Sequence, residues 1–420
     1  MPADARARAA LVCRAWRDAL AEPSVWARLD LLPTSGVTVA LSEALLRGAA
    51  ARAHGQLTAL SLNCCEELPQ AALLDVVTSN AGSLRELTCI SKIEAAQFSI
   101  LEVFDVEDLL RAAPQLRVFN ADVHASVADA ARLLRNDPPF GALRLRALEF
   151  TEADDEHEPA ADADVLAVAA AVPRHASLER LHVIGALLHT PALLDALAAA
   201  VTASALPTLW LLRCGLSPAS VPALVRMLRH GALTSLLLDN DGQLLLDAPA
   251  AVQLADTIAT HDTLLHLRLE DVQLWHDAPA AAAVMRAVTG HPSLQNLDLS
   301  FNSPPDPAAA GAALGALLAA NLPALRALDI RHSRQLGDDG LRPLLDALAH
   351  NTHLRVLDCY NTGMRNAFAR DVFLPAVRAN TSLRTLEASK WWANRHDGMA
   401  PPAVLEAEAL VAARSAGGAA

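Results

Sequence analysis

One spacing of leucines recurs through most of the chain's 420 residues. Leu206, Leu209, Leu211, Cys214 and Leu216 show it cleanly, as do Leu294, Leu297, Leu299 and Asn302. Leu264, Leu267, Leu269, Val272 and Leu274 repeat it, and so do Leu325, Leu328, Ile330 and Ser333. Further copies start at Leu57, Leu84, Leu116, Leu145, Leu178, Leu233, Leu354 and Leu383. The mean step between starts is about 30 residues. Within each copy the apolar residues alternate, the period of a strand with one face buried. Between copies the spacing becomes helical. Val221, Leu224, Val225 and Leu228 fall on one helix face, and so do Leu341, Leu344, Leu345 and Leu348. A single strand–loop–helix unit cannot bury its own apolar side, so neighbouring units must stack.

This L-x-x-L-x-L-x-x-N/C-x-L wording resembles the leucine-rich repeat. With a full helix in each unit it is similar to the ribonuclease-inhibitor type, over roughly residues 55–414. The resemblance implies an α/β solenoid: a ribonuclease-inhibitor-like leucine-rich repeat horseshoe of about twelve repeats. Parallel strands would line the concave face and helices the outside. The copies at Leu84 and Leu116 keep only the strand core. Val404, Leu405, Ala409, Leu410 and Val411 are expected to form the last helix, with 415–420 as a flexible tail.

Composition narrows the partners. Lys+Arg number 34 against 47 Asp+Glu, a net charge of −13. That balance argues against nucleic acid or an anionic membrane as the main partner. Hydrophobic residues at 53% and charged residues at 19% allow a substantial core. No run of about 18 strongly apolar residues suggests a membrane span. The opening residues carry Asp4 and Asp18 among arginines and make a poor secretory signal. The six cysteines form no paired CxxC sets, which suits reduced thiols in a cytoplasmic or nuclear protein.

Ahead of the repeats, Leu11, Val12, Ala15, Trp16, Ala19 and Leu20 make one helical stripe. Pro23 breaks it, and Val25, Trp26 and Leu29 follow. Val12, Cys13, Trp16, Pro23, Ser24 and Trp26 match the C-terminal half of an F-box, a valine–Cys/Ser–x–x–tryptophan helix followed by a Pro-Ser-x-Trp step. The family's opening Leu-Pro-x-Glu helix is not among these residues, so the resemblance is N-terminally incomplete. It implies a helical segment over 1–35, followed by the solenoid over 36–414. It also implies that Leu11, Val12, Trp16, Leu20, Pro23 and Trp26 dock the Skp-type adaptor of a cullin-RING (SCF-type) ubiquitin ligase. The alternative for these residues is an amphipathic cap on the solenoid's end.

Motifs for enzyme chemistry are not found: neither a P-loop, nor GxGxxG after a strand, nor HExxH, nor GxSxG. The expectation is a non-catalytic protein with no cofactor and no metal. His175, His261, His291, Asn351 and Asn380 each precede a repeat's first leucine by three. At that helix-to-strand turn they can satisfy backbone groups. Cys65 and Cys214 are expected to fill the inner turn. The acid-rich stretch 149–164 reads as a solvated loop, and Trp391 and Trp392 as covers for the last strand.

The residue between the second and third leucines of each repeat should face outward from the concave sheet. From the fifth copy onward these are His182, Trp210, Leu237, Arg268, Asp298, Asp329, Asp358 and Glu387. Ile184, Trp210, Leu212 and Leu237 are expected to form an exposed apolar patch. Asp298, Asp329, Asp358 and Glu387 would form a row of acids, with Arg268 beside it. A target protein with a basic segment would suit that face. The functional expectation is a substrate-recognition subunit of an SCF-type ligase. The alternatives are a free-standing leucine-rich repeat scaffold and a GTPase-activating or enzyme-inhibiting protein.

Overall fold

A computed structural model describes residues 22–31, 43–63, 70–90, 109, 111–135, 147–151, 162–185, 188, 190–230, 232–389 and 400–417. The chain divides into two units, 1–182 and 183–420. The division falls inside strand β6 (Arg180–Ile184). Strands and helices alternate in both units, the arrangement of an α/β leucine-rich repeat solenoid.

In the first unit the elements run β1 (Arg28–Leu31), α1 (Glu43–Arg52), β2 (Ala59–Asn63), α2 (Gln70–Ser79), β3 (Glu86–Ile90) and β4 (Val118–Ser126). They continue with α3 (Val127–Arg135), β5 (Ala147–Thr151) and α4 (Asp162–Ala171). Each strand from β1 to β5 pairs parallel with the next in sequence. The start of the chain departs from expectation here. Arg28–Leu31 lies within the segment expected to be helical, yet it is a strand, paired Leu29 to Leu60 and Asp30 to Ser61. The alternation of Leu29 and Leu31 with polar neighbours gives it a strand's period, and pairing with β2 satisfies its backbone. The repeats therefore begin before residue 36.

The second unit continues with α5 (Pro191–Ala203), β7 (Thr208–Leu212), α6 (Val221–His230), β8 (Ser235–Asp239), α7 (Ala248–Ala259) and β9 (His266–Glu270). Next come α8 (Ala278–Thr289), β10 (Asn296–Asp298), α9 (Pro307–Ala319), β11 (Ala327–Asp329), α10 (Gly337–Leu348) and β12 (Val356–Asp358). The unit ends with α11 (Leu374–Ala379), β13 (Thr385–Glu387) and α12 (Pro402–Gly417). Strands β7 to β13 are parallel and pair in sequence order. Helix α12 runs on through Ser415, Ala416 and Gly417, so the tail expected from 415 is helical that far. Glu408 on α12 accepts the N–H groups of Ala388 and Ser389 at 2.7 and 2.8 Å, tying off the end of β13. Among the described residues no helix is long and apolar enough to cross a membrane.

The leucine spacing locates the core. Leu206, Leu209, Leu211, Leu264, Leu267, Leu269, Leu294, Leu297 and Leu299 are all buried. Both helix faces named above are buried as well. Cys214 fills its inner turn, with Sγ 3.3 Å from the Val183 carbonyl oxygen. Asn302 does the same work with hydrogen bonds: its Oδ1 accepts the N–H groups of Val272 and Leu274, and its Nδ2 donates to Leu269 O at 2.6 Å. At the helix-to-strand turns, Asn380 Oδ1 accepts from Ser382 N and Leu383 N, while Nδ2 donates to Leu348 O at 2.8 Å. Asn351 repeats this one unit earlier, and His291 Nδ1 accepts from Ser293 N and Leu294 N. The polar file thus completes backbone bonding that the leucines cannot. Three helices start on an aspartate followed two residues on, or directly, by proline. Asp247, Asp277 and Asp306 accept from Ala250, Ala280 and Ala309 N–H, so side-chain caps fix the phase of α7, α8 and α9.

Helices α9 and α10 approach closely because glycines line the contact. A methyl at Gly311 would collide with the Gly340 carbonyl, and one at Gly315 would lie 2.8 Å from Pro343 O. Gly311→Ala is expected to destabilise the protein by roughly 1–3 kcal/mol in urea unfolding, as overpacking does. Gly48→Ala, where a methyl meets nothing within 4 Å, should be neutral or stabilising.

Candidate functional site

The sheet register of the second unit brings one side chain from each strand into a single file. Trp210 stands beside Leu237, Leu237 beside Arg268, and Arg268 beside Asp298. Asp298 stands beside Asp329, Asp329 beside Asp358, and Asp358 beside Glu387. A second file, two residues on, contains Leu212, Asp239 and Glu270. The acids expected to form a row are therefore neighbours.

The apolar patch is different from expectation. Leu237 is 1% exposed and Leu212 is 5% exposed, while Ile184 and Trp210 are half-buried. The Arg268 guanidinium lies 6.0 Å from the centre of the Trp210 ring. Those two residues flank Leu237 on either side in the register, so they meet across it and shut out water. Leu212 ends β7 beside the buried Asp239 and is covered in the same crowded file. An exposed patch containing Leu212 and Leu237 is thus corrected to a pair of buried leucines beneath a tryptophan–arginine contact.

The docking residues fare as follows. Leu11, Val12, Trp16 and Leu20 lie outside the described residues. Pro23 opens a short 3-10 turn, Pro23–Trp26, and is half-buried. Trp26 is 2% exposed, with the Arg52 guanidinium 4.9 Å above its ring. Its ring fills the space beside α1, so its expected role as an adaptor contact is corrected to a core role. Cys65, Trp391 and Trp392 also lie outside the described residues, as does 152–161 of the acidic stretch; Asp162 and Asp164 belong to the first turn of α4.

Electrostatics distinguish the acid file. Neighbouring strands are about 4.8 Å apart, and two unit charges at that spacing repel by about 3 kcal/mol at an effective dielectric near 20. Two arginines answer part of this. Arg268 Nη2 is 2.9 Å from Glu270 Oε2, and its Nε is 2.8 Å from Asp298 Oδ2. Arg331 Nε is 3.4 Å from Asp329 Oδ2, and its Nη1 is 3.9 Å from Asp358 Oδ2. Compensation is incomplete. Burial and then the Asp298 charge push the Asp329 carboxyl up to about 8. Burial and then Glu387 raise Asp358 to about 7, and burial with Asp298 raises Glu270 to about 7. Part of the file therefore holds its protons at neutral pH. The register carries this site, and the one sequence signal for it is the recurrence of acids at one repeat position. Sequence reasoning named Leu212 from the second file but missed Asp239 and Glu270, which follow it on the paired strands.

No protein-family model matches the sequence, and no curated protein matches it. Solved structures give distant likenesses of fold. The leucine-rich repeat-containing protein LegL7 from Legionella pneumophila is 13% identical with a TM-score of 0.39, covering 93% of this chain and 97% of that one. The structure of the Rad7 and Elc1 complex in yeast is 15% identical with a TM-score of 0.36, covering 77% of this chain and 68% of that one. The tropomodulin C-terminal domain from Caenorhabditis elegans is 16% identical with a TM-score of 0.28, covering 33% and 81%. The fold itself is that of a leucine-rich repeat solenoid.

Raised carboxyl values have a fixed consequence for stability. Between the ordinary carboxylate range near 4 and a folded value near 8, the folded state holds protons that the unfolded state has released. Stability from Asp329 is then complete at low pH and is lost as pH rises through that window. Urea unfolding of the wild type should show stability falling from pH 5 to 8.5. Asp329→Asn, which carries no proton to lose, should reduce that fall by on the order of 2 kcal/mol. Equal slopes in the two proteins would contradict the assignment.

Proposed function

We propose that the chain is a non-catalytic scaffold whose strand-lined face, in the second unit, holds a partner protein by a basic segment. The observation that supports this is the in-register file Asp298, Asp329, Asp358 and Glu387. With Asp239 and Glu270 in the adjoining file, six carboxylates stand near three arginines, Arg213, Arg268 and Arg331. Lysines or arginines from a partner would supply the missing compensation and displace the retained protons.

We further infer, from the match of Val12, Cys13, Trp16, Pro23, Ser24 and Trp26 to the F-box pattern, that the chain is a substrate-recognition subunit of an SCF-type ubiquitin ligase. The Skp-type adaptor would contact Leu11, Val12, Trp16 and Leu20. The chain's part would be proximity: the repeats hold a target lysine near the ligase's loaded partner, and other subunits do the chemistry. A second reading is a free-standing scaffold, favoured by the pairing of β1 with β2 and the burial of Trp26, which give this stretch a role within the repeats.

Two measurements test these readings. A fluorescein-labelled Lys/Arg-rich peptide should bind the full chain, weaken with added salt, and bind more tightly at pH 8.5 than at pH 6 as the carboxyls ionise. Asp329→Lys with Asp358→Lys should abolish most of that affinity; unchanged binding discards the basic-partner reading. A pull-down with purified Skp-type adaptor should retain the full chain and lose it on Trp16→Ala. No retention by the wild type removes the ligase reading and leaves the scaffold.

A further inference from the structure

Three residues past the file position of β9 to β12, each repeat has a left-handed residue, and Arg213 and Asp241 follow β7 and β8 in the same conformation. Those after β9 to β12 are Asp271, Phe301, His332 and Asn361, with φ of 48°, 60°, 57° and 55°. For a bulky side chain this conformation costs about 1–2 kcal/mol, and such strain collects at ligand-holding positions. The turns are tied together along the ladder. Asp271 N–H donates to Ser300 O, Phe301 N–H to Arg331 O and His332 N–H to Tyr360 O, at 3.2, 2.9 and 3.1 Å. Their side chains consequently line up in a third file beside the carboxylates.

Two aromatic rings of that file, Phe301 and His332, meet a third, Tyr360, from the position one residue earlier in the next repeat. Phe301 stacks on His332 with centroids 4.2 Å apart and planes 19° apart. His332 meets Tyr360 edge-on at 4.8 Å. Asn361 Nδ2 lies 2.9 Å from His332 Nδ1, and His332 Nε2 lies 3.1 Å from the Tyr360 hydroxyl. Burial and then the Arg331 charge hold the His332 imidazole below its ordinary pKa, which favours the neutral ring. Phe301 is 39% exposed despite its strained backbone. Its backbone conformation belongs to the turn, but the exposure of its ring does not benefit the core.

The acids point the same way. Asp298 Oδ1 accepts the Ser300 N–H at 2.9 Å, and Asp329 Oδ1 accepts the Arg331 N–H at 3.0 Å. Both carboxylates thus lean along their strands toward the aromatic file. The surface combines planar rings with negative charge at one edge. Trp210 and Arg268 already display the corresponding contact within the chain, an arginine over an aromatic ring.

We propose that Phe301, His332 and Tyr360 form a shelf for one arginine of the partner, whose guanidinium stacks on the Phe301 ring while Asp329 answers its charge. The inference rests on the basic-partner reading above and names the anchor of that partner. Arginine fits better than lysine, because its guanidinium is planar and more weakly hydrated, and so stacks on a ring that an ammonium can only approach as a point charge.

The test uses the full chain with two fluorescein-labelled peptides, one arginine-rich and one lysine-rich, of equal length and charge. Phe301→Gly removes the ring and relieves the left-handed backbone. It should therefore keep or raise the melting temperature while weakening the arginine peptide about 5–20-fold. The lysine peptide should weaken less, and Phe301→Trp should restore arginine binding. If Phe301→Gly leaves the arginine peptide unchanged while Asp329→Lys weakens it, the shelf is overturned and the basic-partner reading stands. Equal losses for both peptides overturn the assignment to arginine. Failure of the wild type to bind either peptide overturns the shelf and the basic-partner reading together.

Discussion

A single repeat of this chain has no interior of its own. Its leucines become buried only when the next repeat closes over them, and that dependence organises everything else. Leu209, Leu236, Leu267, Leu297, Leu328 and Leu357 occupy equivalent positions on successive strands, and all are buried. Burying one such side chain contributes about 1.5–3 kcal/mol relative to leaving it exposed. Shifting one strand by a single residue would turn its leucines outward, so the register has little freedom. The asparagine and histidine turns and the aspartate caps then settle which backbone groups meet which.

That fixed register has an electrostatic consequence. Each strand presents a side chain on the open face at the same height as its neighbours. Whatever the sequence puts there must stand beside its counterpart in the next repeat. Acids at four consecutive positions cannot move apart without breaking the leucine contacts behind them. The protein accommodates them with two arginines and with protons retained on Asp329, Asp358 and Glu270. The resulting face is short of positive charge, and its surplus is held in place by the core. The same turns that end the strands carry Phe301, His332 and Tyr360 beside the acids.

Much of this was legible in the residues themselves. Leucine spacing named buried positions from Leu57 to Leu383, with Leu116 only half-buried and Leu145 outside the described residues, because a period of two followed by a helical period is enforced directly by backbone geometry. The acid row was legible too, since equal positions in equal repeats become neighbours. Exposure was less legible. Leu237 occupies an outward position but is covered by side chains from two other repeats, and no local pattern records that Arg268 reaches Trp210. Trp26 fits an F-box step by its neighbours in sequence, while its burial follows from the Leu29–Leu60 pairing with a strand some thirty residues on. The aromatic cluster was hidden because Tyr360 stands one repeat position before Phe301 and His332 and meets them only across the left-handed turn.

Stacking of equivalent repeats is tested most directly by removing one. Deleting residues 264–293 takes out one complete strand–helix unit and leaves Leu233 and Leu294 as successive starts. Deleting 264–278, about half a unit, removes β9 and leaves α8 with no strand of its own, so β8 and β10 can pair only across a helix that has no repeat to belong to. Urea unfolding followed by far-UV circular dichroism compares the two. The whole-unit deletion should keep a cooperative transition and the helix content per residue of the parent, whereas the half-unit deletion should lose both. If the whole-unit deletion unfolds as completely as the half-unit one, the repeats do not share interchangeable leucine interfaces.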